Sequence, residues 1–483
     1  MKRLKYTIVA ALLTMAMPAC TEKELDNINK NLNDPTNAPA VNELPSVIVE
    51  SSFGTTGTDL AWYSSLFVEH SAGGDEQFYD ADRRTGTNAS SLVNNSWNSV
   101  YDNLMILNDI IVKCSPGGAE SDKPALLGIA QILTAYNLAI ATDLWGQVPW
   151  TEALKGQENS HPVYDKQQYI YQNVLFSLLN SAIGNLTGAK TITGLATNDL
   201  MYSGDLSLWI KAAWSLKARY FMHMQKVTPS AMDSVLACVP HGFESGDDAL
   251  VFTKYENTTI GANPWWDFTY YERGDLVISE TLYNLMTARN DPRIDSYFEP
   301  PTGATDNVAA PSGEADRTRA GLEFYSYSRI TGLEDGSTAP TPLMSYHELK
   351  FIEAEALARK GQSFTAALQE AVEASFTFHG TSGGTAYYTG TVAPLLGTTL
   401  DANLKEILTQ KYIAFYEAES IEAYNDYRRT RIVSLNNPFN ASATAGFVER
   451  FPYATSETSS NSANIPSGVN VYTSKVWWAG GTE

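Results

Sequence analysis

Two stretches of this 483-residue chain set rings and charges close enough together to hold a polar ligand. The first, "NPWWDFTYYERGD" (263–275), places Trp265, Trp266, Tyr270 and Tyr271 among Asp267, Glu272 and Arg273. The second, "GGDEQFYDADRR" (73–84), offers Glu76, Gln77 and Tyr79. A sugar ring presents apolar C–H faces that stack on aromatic planes, while its hydroxyls need carboxylate, amide or guanidinium partners. Both stretches carry that mixture. The same rings would also serve to cover the helices beneath them, because large aromatics are highly buried on average. A third stretch, "LAIATDLWGQVPWTEAL" (138–154), poses the same choice with Asp143, Trp145 and Trp150 around a Gly/Pro break.

Frames for catalysis are weaker. His70, His161, His223, His241, His347 and His379 show no HxH or HExxH spacing. His347-Glu348 starts such a motif, but Phe351 stands at the second ligand position, so no catalytic metal is expected. "GTSGG" (380–384) matches G-x-S-x-G around Ser382, yet a nucleophile elbow needs a strand before it and a helix after it. Here a helical run precedes it and "TAYYTG" follows, which reads as a flexible loop. Phosphate-loop and dinucleotide fingerprints are missing, so no cofactor is expected. Acid pairs such as Asp247-Asp248 are unsurprising among 54 acids, and "ESGDDAL" is ordinary turn chemistry. Two carboxyls set across a glycosidic bond stay open as an alternative, because sequence spacing does not exclude them.

With 33 Lys and Arg against 54 Asp and Glu, the net charge is −21. Nucleic acid needs a basic surface and anionic lipid a basic patch, so both are poor partners. Cys20, Cys114 and Cys238 lack CxxC spacing, which removes a disulfide framework or a zinc site.

The elements that must carry the two ring-rich stretches are helical. "KPALLGIAQILTAYNLAIATDLWG" (123–146) is apolar on nearly every face, with Pro124 suited to its first turn and Gly146 to its stop. "DLSLWIKAAWSLKARYFMHM" (205–224) starts at a capping residue, Asp205. "HELKFIEAEALARKGQSFTAALQEAVEASF" (347–376) predicts a helical hairpin broken at Gly361, with Ser363 capping the second helix. It resembles one tetratricopeptide unit, without a clean 34-residue period in the chain. "DANLKEILTQKYIAFYEAESIEAYNDYRRTR" (401–431) predicts another long helix, with Leu404, Ile407, Lys411, Phe415, Ala418 and Ile421 near one face. Between the helices, 71–95, 240–275, 300–340 and 380–398 read as long aromatic, Gly-rich loops, and loops of that length are often functional. Strand signals are few. The chain reads as mainly α, one large unit.

The N-terminus supplies an address. Lys2, Arg3 and Lys5 precede the apolar "YTIVAALLTMAMPA" and then Cys20, the pattern of a secretory leader. Ala19-Cys20 resembles a bacterial lipobox, which predicts a leader over 1–19 and an acylated Cys20. Loss of that leader takes the charge from −21 to −24. Residues 20–45, polar and rich in Asn and Pro, read as a tether, and 46–483 as the folded domain. No later apolar run is expected to cross a bilayer, so the lipid is the predicted anchor.

Taken in order, "NLNDPTNAP", "VEHSAG", "WNSVYDNLMILNDII", "ALLGIAQILTAYNLAIATDLWGQVPWTEAL", "YSGDLSLWIKAAWSLKARYFM", "NDPRIDSYF", "PLMSYHELKFIEAEALARKG", "LTQKYIAFYEAESIEAYNDYRRT" and "FPYATSETSSN" resemble the SusD/RagB-type nutrient-binding outer-membrane lipoproteins, specifically the SusD-like branch. One departure is "RRTRIVSL", where Arg431 and Val433 stand in place of a frequent Gly and Pro. The resemblance implies tetratricopeptide-like helix pairs in a single large domain, long loops carrying the ligand surface, and no catalysis. It also implies a lipid-anchored protein at the cell surface that passes an oligosaccharide, or in some relatives a peptide, to a SusC-like TonB-dependent transporter. Ligand residues vary with the nutrient in this family, so Trp265, Trp266, Asp267, Tyr270, Tyr271, Arg273, Glu76, Gln77 and Tyr79 rest on the loop chemistry alone. A surface glycoside hydrolase and a purely protein-binding scaffold are the competing readings. A segment shared across a family with variable ligands suits packing better than recognition, which assigns Asp143, Trp145 and Trp150 to the fold.

Overall fold

The helix that the apolar pattern marks most strongly is the one the rest of the chain wraps. In a computed structural model, residues 38–483 are described apart from 274, 302, 316–326, 331–335 and 437–445, with only the backbone at 270–272, 329–330 and 418. The predicted leader, Cys20 and most of the tether lie outside the described residues. Ala40–Glu483 form one unit, and Ala40 and Leu44 are already buried in its core, inside the stretch read as tether.

The N-terminal helices are α1 (Leu44–Glu50), α2 (Asp59–Phe67), α3 (Glu76–Asp82), α4 (Asn94–Cys114) and α5 (Pro124–Trp145). Next come α6 (Phe176–Leu186), α7 (Leu206–His223), α8 (Ala231–Cys238) and α9 (Glu280–Thr287). The C-terminal set is α10 (Tyr346–Arg359), α11 (Thr365–Phe378), α12 (Leu400–Ala414) and α13 (Ser420–Thr430). Helix α5 packs between α4 and α6, α7 packs on α6 and α8, and α10 is flanked by α11 and α12. At 22 residues α5 is long and apolar enough to cross a membrane, which corrects the expectation that no later run has that length; it is buried inside the protein instead.

Capping follows the sequence signals with one exception. Asp205 accepts a hydrogen bond from the Ser207 amide, and Ser345 from Glu348, so both satisfy an otherwise orphaned N–H of the first turn. Gly146 stops α5 at φ +76°, and a Cβ there would lie 2.9 Å from the Arg450 guanidinium. Ser363 does not cap: Phe364 holds the N-cap position of α11, without a side-chain bond, and Ser363 is exposed.

The predicted helix over 401–431 is two helices. The chain breaks after Ala414, passes through Glu417 at φ +68°, and resumes at Ser420. Apolar spacing continued across the break because Phe415, Tyr416 and Ile421 are all buried. Burial on both sides of a turn imitates one helical stripe. At the far end of α13, Arg431 adopts φ +59°, the left-handed C-terminal position that favours glycine. Its guanidinium stacks over Tyr427 and Phe447, 4.8 and 4.6 Å from the ring centroids, and pairs with Glu449, contacts a glycine lacks.

The strands are short, two to four residues each among those described, which is why period-two alternation was hard to see. β1 (Ser71–Gly73), β5 (Leu276–Ile278), β7 (Arg329–Ile330) and β6 (Phe298–Glu299) form one antiparallel sheet in the order β1-β5-β7-β6. β2 (Val148–Pro149) pairs with β3 (Tyr164–Asp165), and β4 (Leu250–Phe252) with β8 (Thr341–Met344).

Candidate ligand-binding site

The two ring-rich stretches meet at the β1 edge of the four-stranded sheet. β1 and β5 pair with Ser71 opposite Ile278, Ala72 opposite Val277 and Gly73 opposite Leu276. The Gly74 amide then donates to the Asp275 carbonyl at 2.6 Å, so the chain leaving β1 runs beside the chain entering β5. Gly73 is required here: a Cβ would sit 2.0 Å from the Phe78 carbonyl oxygen, where α3 folds back on the strand. Buried Asp82 closes the turn by accepting from the amides of Gly73 (3.1 Å) and Gly313 (2.7 Å) and from the Ser312 hydroxyl (2.9 Å). Burial raises its pKa, opposed by the Arg84 guanidinium and these three donors.

The second wall begins with Asn263, whose side-chain oxygen accepts from the amides of Trp265 (2.9 Å) and Trp266 (3.2 Å). Its amide nitrogen donates to the Ala339 carbonyl at 2.9 Å. Pro264–Trp266 form one helical turn that widens into π-helix over Asp267–Glu272. Such a widened turn is frequent at functional sites, because the extra residue re-aims the side chains that follow.

That geometry sorts the predicted residues. Trp265 points inward, 1% exposed, with its ring edge-on to Trp62 at 6.4 Å. It is core, and its face is not available for stacking on a ligand, which corrects its assignment. Trp266 and Asp267 are half-buried at the surface. Phe268 covers the inner side by stacking on Trp62 at 4.3 Å. Only the backbone of Tyr270 and Tyr271 is described, so their predicted ring contacts lie outside the described residues.

Across the seam, the Arg273 guanidinium lies 3.2 Å from Glu76 and 3.8 Å from the buried carboxylate of Asp275. Glu76 and Arg273, predicted from separate stretches, thus form one exposed ion pair. Glu76 adopts φ +45°, a strained conformation for a non-glycine residue, at the point where it reaches across. Gln77 is exposed, and Tyr79 is half-buried with Arg83 over its ring at 4.9 Å. The sequence reading missed Arg83. Helical spacing would have found it, because Arg83, the residue that follows α3, stands four positions after Tyr79.

In the third stretch Asp143 and Trp145 are buried, and Trp150 is half-buried against the core. Asp143 accepts from Trp478 Nε1 at 2.8 Å and from the Tyr171 hydroxyl, and lies 3.4 Å from His223 Nδ1. His223 Nε2 lies 2.8 Å from Glu422. Ligand atoms of Asp143, His223 and Glu422 all fall within 4.8 Å of one another, a spacing compatible with a metal. Burial lowers the pKa of His223, but the carboxylates of Glu422 and Asp143 override it and raise the value to about 9. The two carboxylates thus favour the protonated form of the imidazole between them. Trp145 donates from Nε1 to the Pro452 carbonyl at 2.8 Å and packs edge-on to Trp97 at 5.1 Å. Trp478 is also fully buried.

The class defined by these features is a mainly helical protein whose loops gather into a small sheet with an aromatic and charged margin. The chain matches the family model SusD-like, described as starch-binding and associating with the outer membrane, over residues 51–454. It belongs to that SusD-like family. A SusD/RagB family protein from Bacteroides thetaiotaomicron superposes with a TM-score of 0.82 at 31% identity, over 92% of this chain and 100% of that one. A SusD homologue from Bacteroides uniformis superposes at 0.76 with 22% identity, over 92% and 100%. A chitin-binding SusD homologue from Flavobacterium johnsoniae does so at 0.76 with 21% identity, over 91% and 99%. Comparison with curated proteins gives no match.

Proposed function

We propose that this protein is a non-catalytic, cell-surface lipoprotein that captures oligosaccharides and delivers them to a SusC-like TonB-dependent outer-membrane transporter. In this reading residues 1–19 are a leader, acylated Cys20 holds the protein to membrane lipid, and 20–45 is mostly tether. The observation that carries the glycan assignment is the exposed Glu76–Arg273 ion pair, which joins the two predicted stretches beside the β1–β5 pairing. The two stretches it joins also supply Gln77, Tyr79, Trp266 and Asp267, the mixture of polar groups and rings that a sugar requires. The family description as starch-binding and the chitin-binding relative support the same class of ligand.

A glycan array with the purified chain, including starch- and chitin-derived oligosaccharides, tests the assignment. Binding without release of reducing ends is expected. Turnover of labelled polysaccharide would replace it with the hydrolase reading, and capture of peptides alone with a peptide-binding role. Cys20→Ala should free the protein from membranes, and continued labelling of that variant by fatty acid would contradict the anchor.

A further inference from the structure

A cleft of about 490 Å³ opens between the 244–249 turn and the α10–α11 hairpin. It lies at the Leu250–Met344 end of the β4–β8 ribbon, whereas Asn263 and the sheet margin join that ribbon near Thr341. Glu244 and Asp247 line it from the turn, and Glu370 and Glu373 from one face of α11. Tyr346 and Phe378 add aromatic surface, and no Lys or Arg lines the cleft.

Two of the four acids are compensated from outside. Lys211 lies 3.2 Å from Glu244, and Lys350 lies 2.8 Å from Glu370. Among the described residues no cation stands within ion-pair distance of Asp247, and Glu373 receives only the Gln369 amide at 2.8 Å. Two hydroxyl donors of the wall are already engaged: that of Tyr346 donates to Glu370, and that of Thr377 to the Glu373 carbonyl. A sugar hydroxyl both donates and accepts, so a wall dominated by four carboxylates, which only accept, suits it less than it suits a group that only donates. Ammonium and guanidinium groups only donate, and their stems and planar heads pack against rings. The volume falls within the usual range of ligand sites, roughly 300–1,000 Å³, enough for a cationic side chain and its chain neighbours.

We propose that this cleft is a second recognition site, which takes a Lys- or Arg-bearing extended peptide segment of a partner protein. The proposal does not rest on the glycan assignment. Fluorescence anisotropy of the full chain with a labelled Gly-Arg-Gly-Arg-Gly peptide tests it, against the Gly-Gln-Gly-Gln-Gly counterpart and an uncharged N-acetylglucosamine oligomer as competitor. The Arg peptide should bind and the Gln peptide should not, with affinity falling as salt rises. Asp247→Asn with Glu373→Gln should weaken binding about tenfold, and Phe378→Ala about threefold. Asp122→Asn with Asp401→Asn removes the same charge from exposed positions elsewhere and should leave binding intact. Three results would overturn the proposal: equal loss in both double variants, equal binding of the two peptides or binding of neither, and displacement of the Arg peptide by an uncharged N-acetylglucosamine oligomer at lower concentration than by free Arg peptide. Circular dichroism of each variant separates a lost site from a lost fold.

Discussion

Arg219 and Arg273 each face a glutamate. In the helical body, Arg219 Nε donates to Glu348 at 2.6 Å with both side chains at 3% exposure or less, and Glu422 lies 4.0 Å away. At the sheet margin, Arg273 reaches Glu76 at 3.2 Å with 48% and 59% of the two side chains exposed. The first pair has no water to replace a lost partner, so it locks α7 against α10. The second exchanges with water at little cost and leaves both groups free to turn toward a ligand. Identical chemistry therefore does structural work in one place and serves the proposed recognition surface in the other, and burial decides between them.

The contrast breaks most visibly at the buried pair. Arg219→Met leaves Glu348 buried and uncompensated, which should lower stability by about 3–5 kcal/mol, read as a fall in the urea midpoint at unchanged slope. Loss of less than a third of that would mean the pair does not hold the helices. Trp265→Ala should follow at about 3–5 kcal/mol, because it empties a packed core site, again measured by urea unfolding; a marginal change would place the ring at the surface.

pH sharpens the contrast from another direction. His223 has a folded pKa of about 9 against an ordinary value near 6.5. Its contribution is therefore whole below about pH 6.5 and is lost as pH rises through about 9. Stability should fall by about 3 kcal/mol across that window, and His223→Gln should flatten the slope. A wild-type curve already flat there would show that the histidine is neutral in the fold.

Smaller effects belong to the margin. Trp266→Ala should weaken glycan binding by about 0.5–1.5 kcal/mol while leaving the unfolding midpoint nearly in place, the reverse of its neighbour Trp265. If calorimetry finds affinity unchanged in a folded variant, Trp266 is not part of the site. Arg273→Gln should leave thermal unfolding unmoved, and a clear drop would make the Glu76 pair structural after all.

Much of the body was legible because helix formation is local. Pro124, Asp205, Gly146 and Gly361 mark boundaries through backbone chemistry that needs no distant partner. The break at Glu417 was not legible, since residues buried on either side of a turn repeat with nearly helical spacing. Site legibility was partial for a related reason. The types in 73–84 and 263–275 announced ligand chemistry, and the family resemblance carried by segments along the chain pointed to the same class of protein. Residue types do not, however, say which of two adjacent tryptophans turns inward.

By itself the sequence determined the helical body, the acidic charge and the family. Only the tertiary structure decided that Glu76 meets Arg273, that Trp265 is core and Trp266 surface, and that Asp143 is held by Tyr171, Trp478 and His223. The physical reason is range. Helix propensity and capping act over a few residues, whereas β1 finds β5 across some two hundred, and burial is set by what packs from elsewhere.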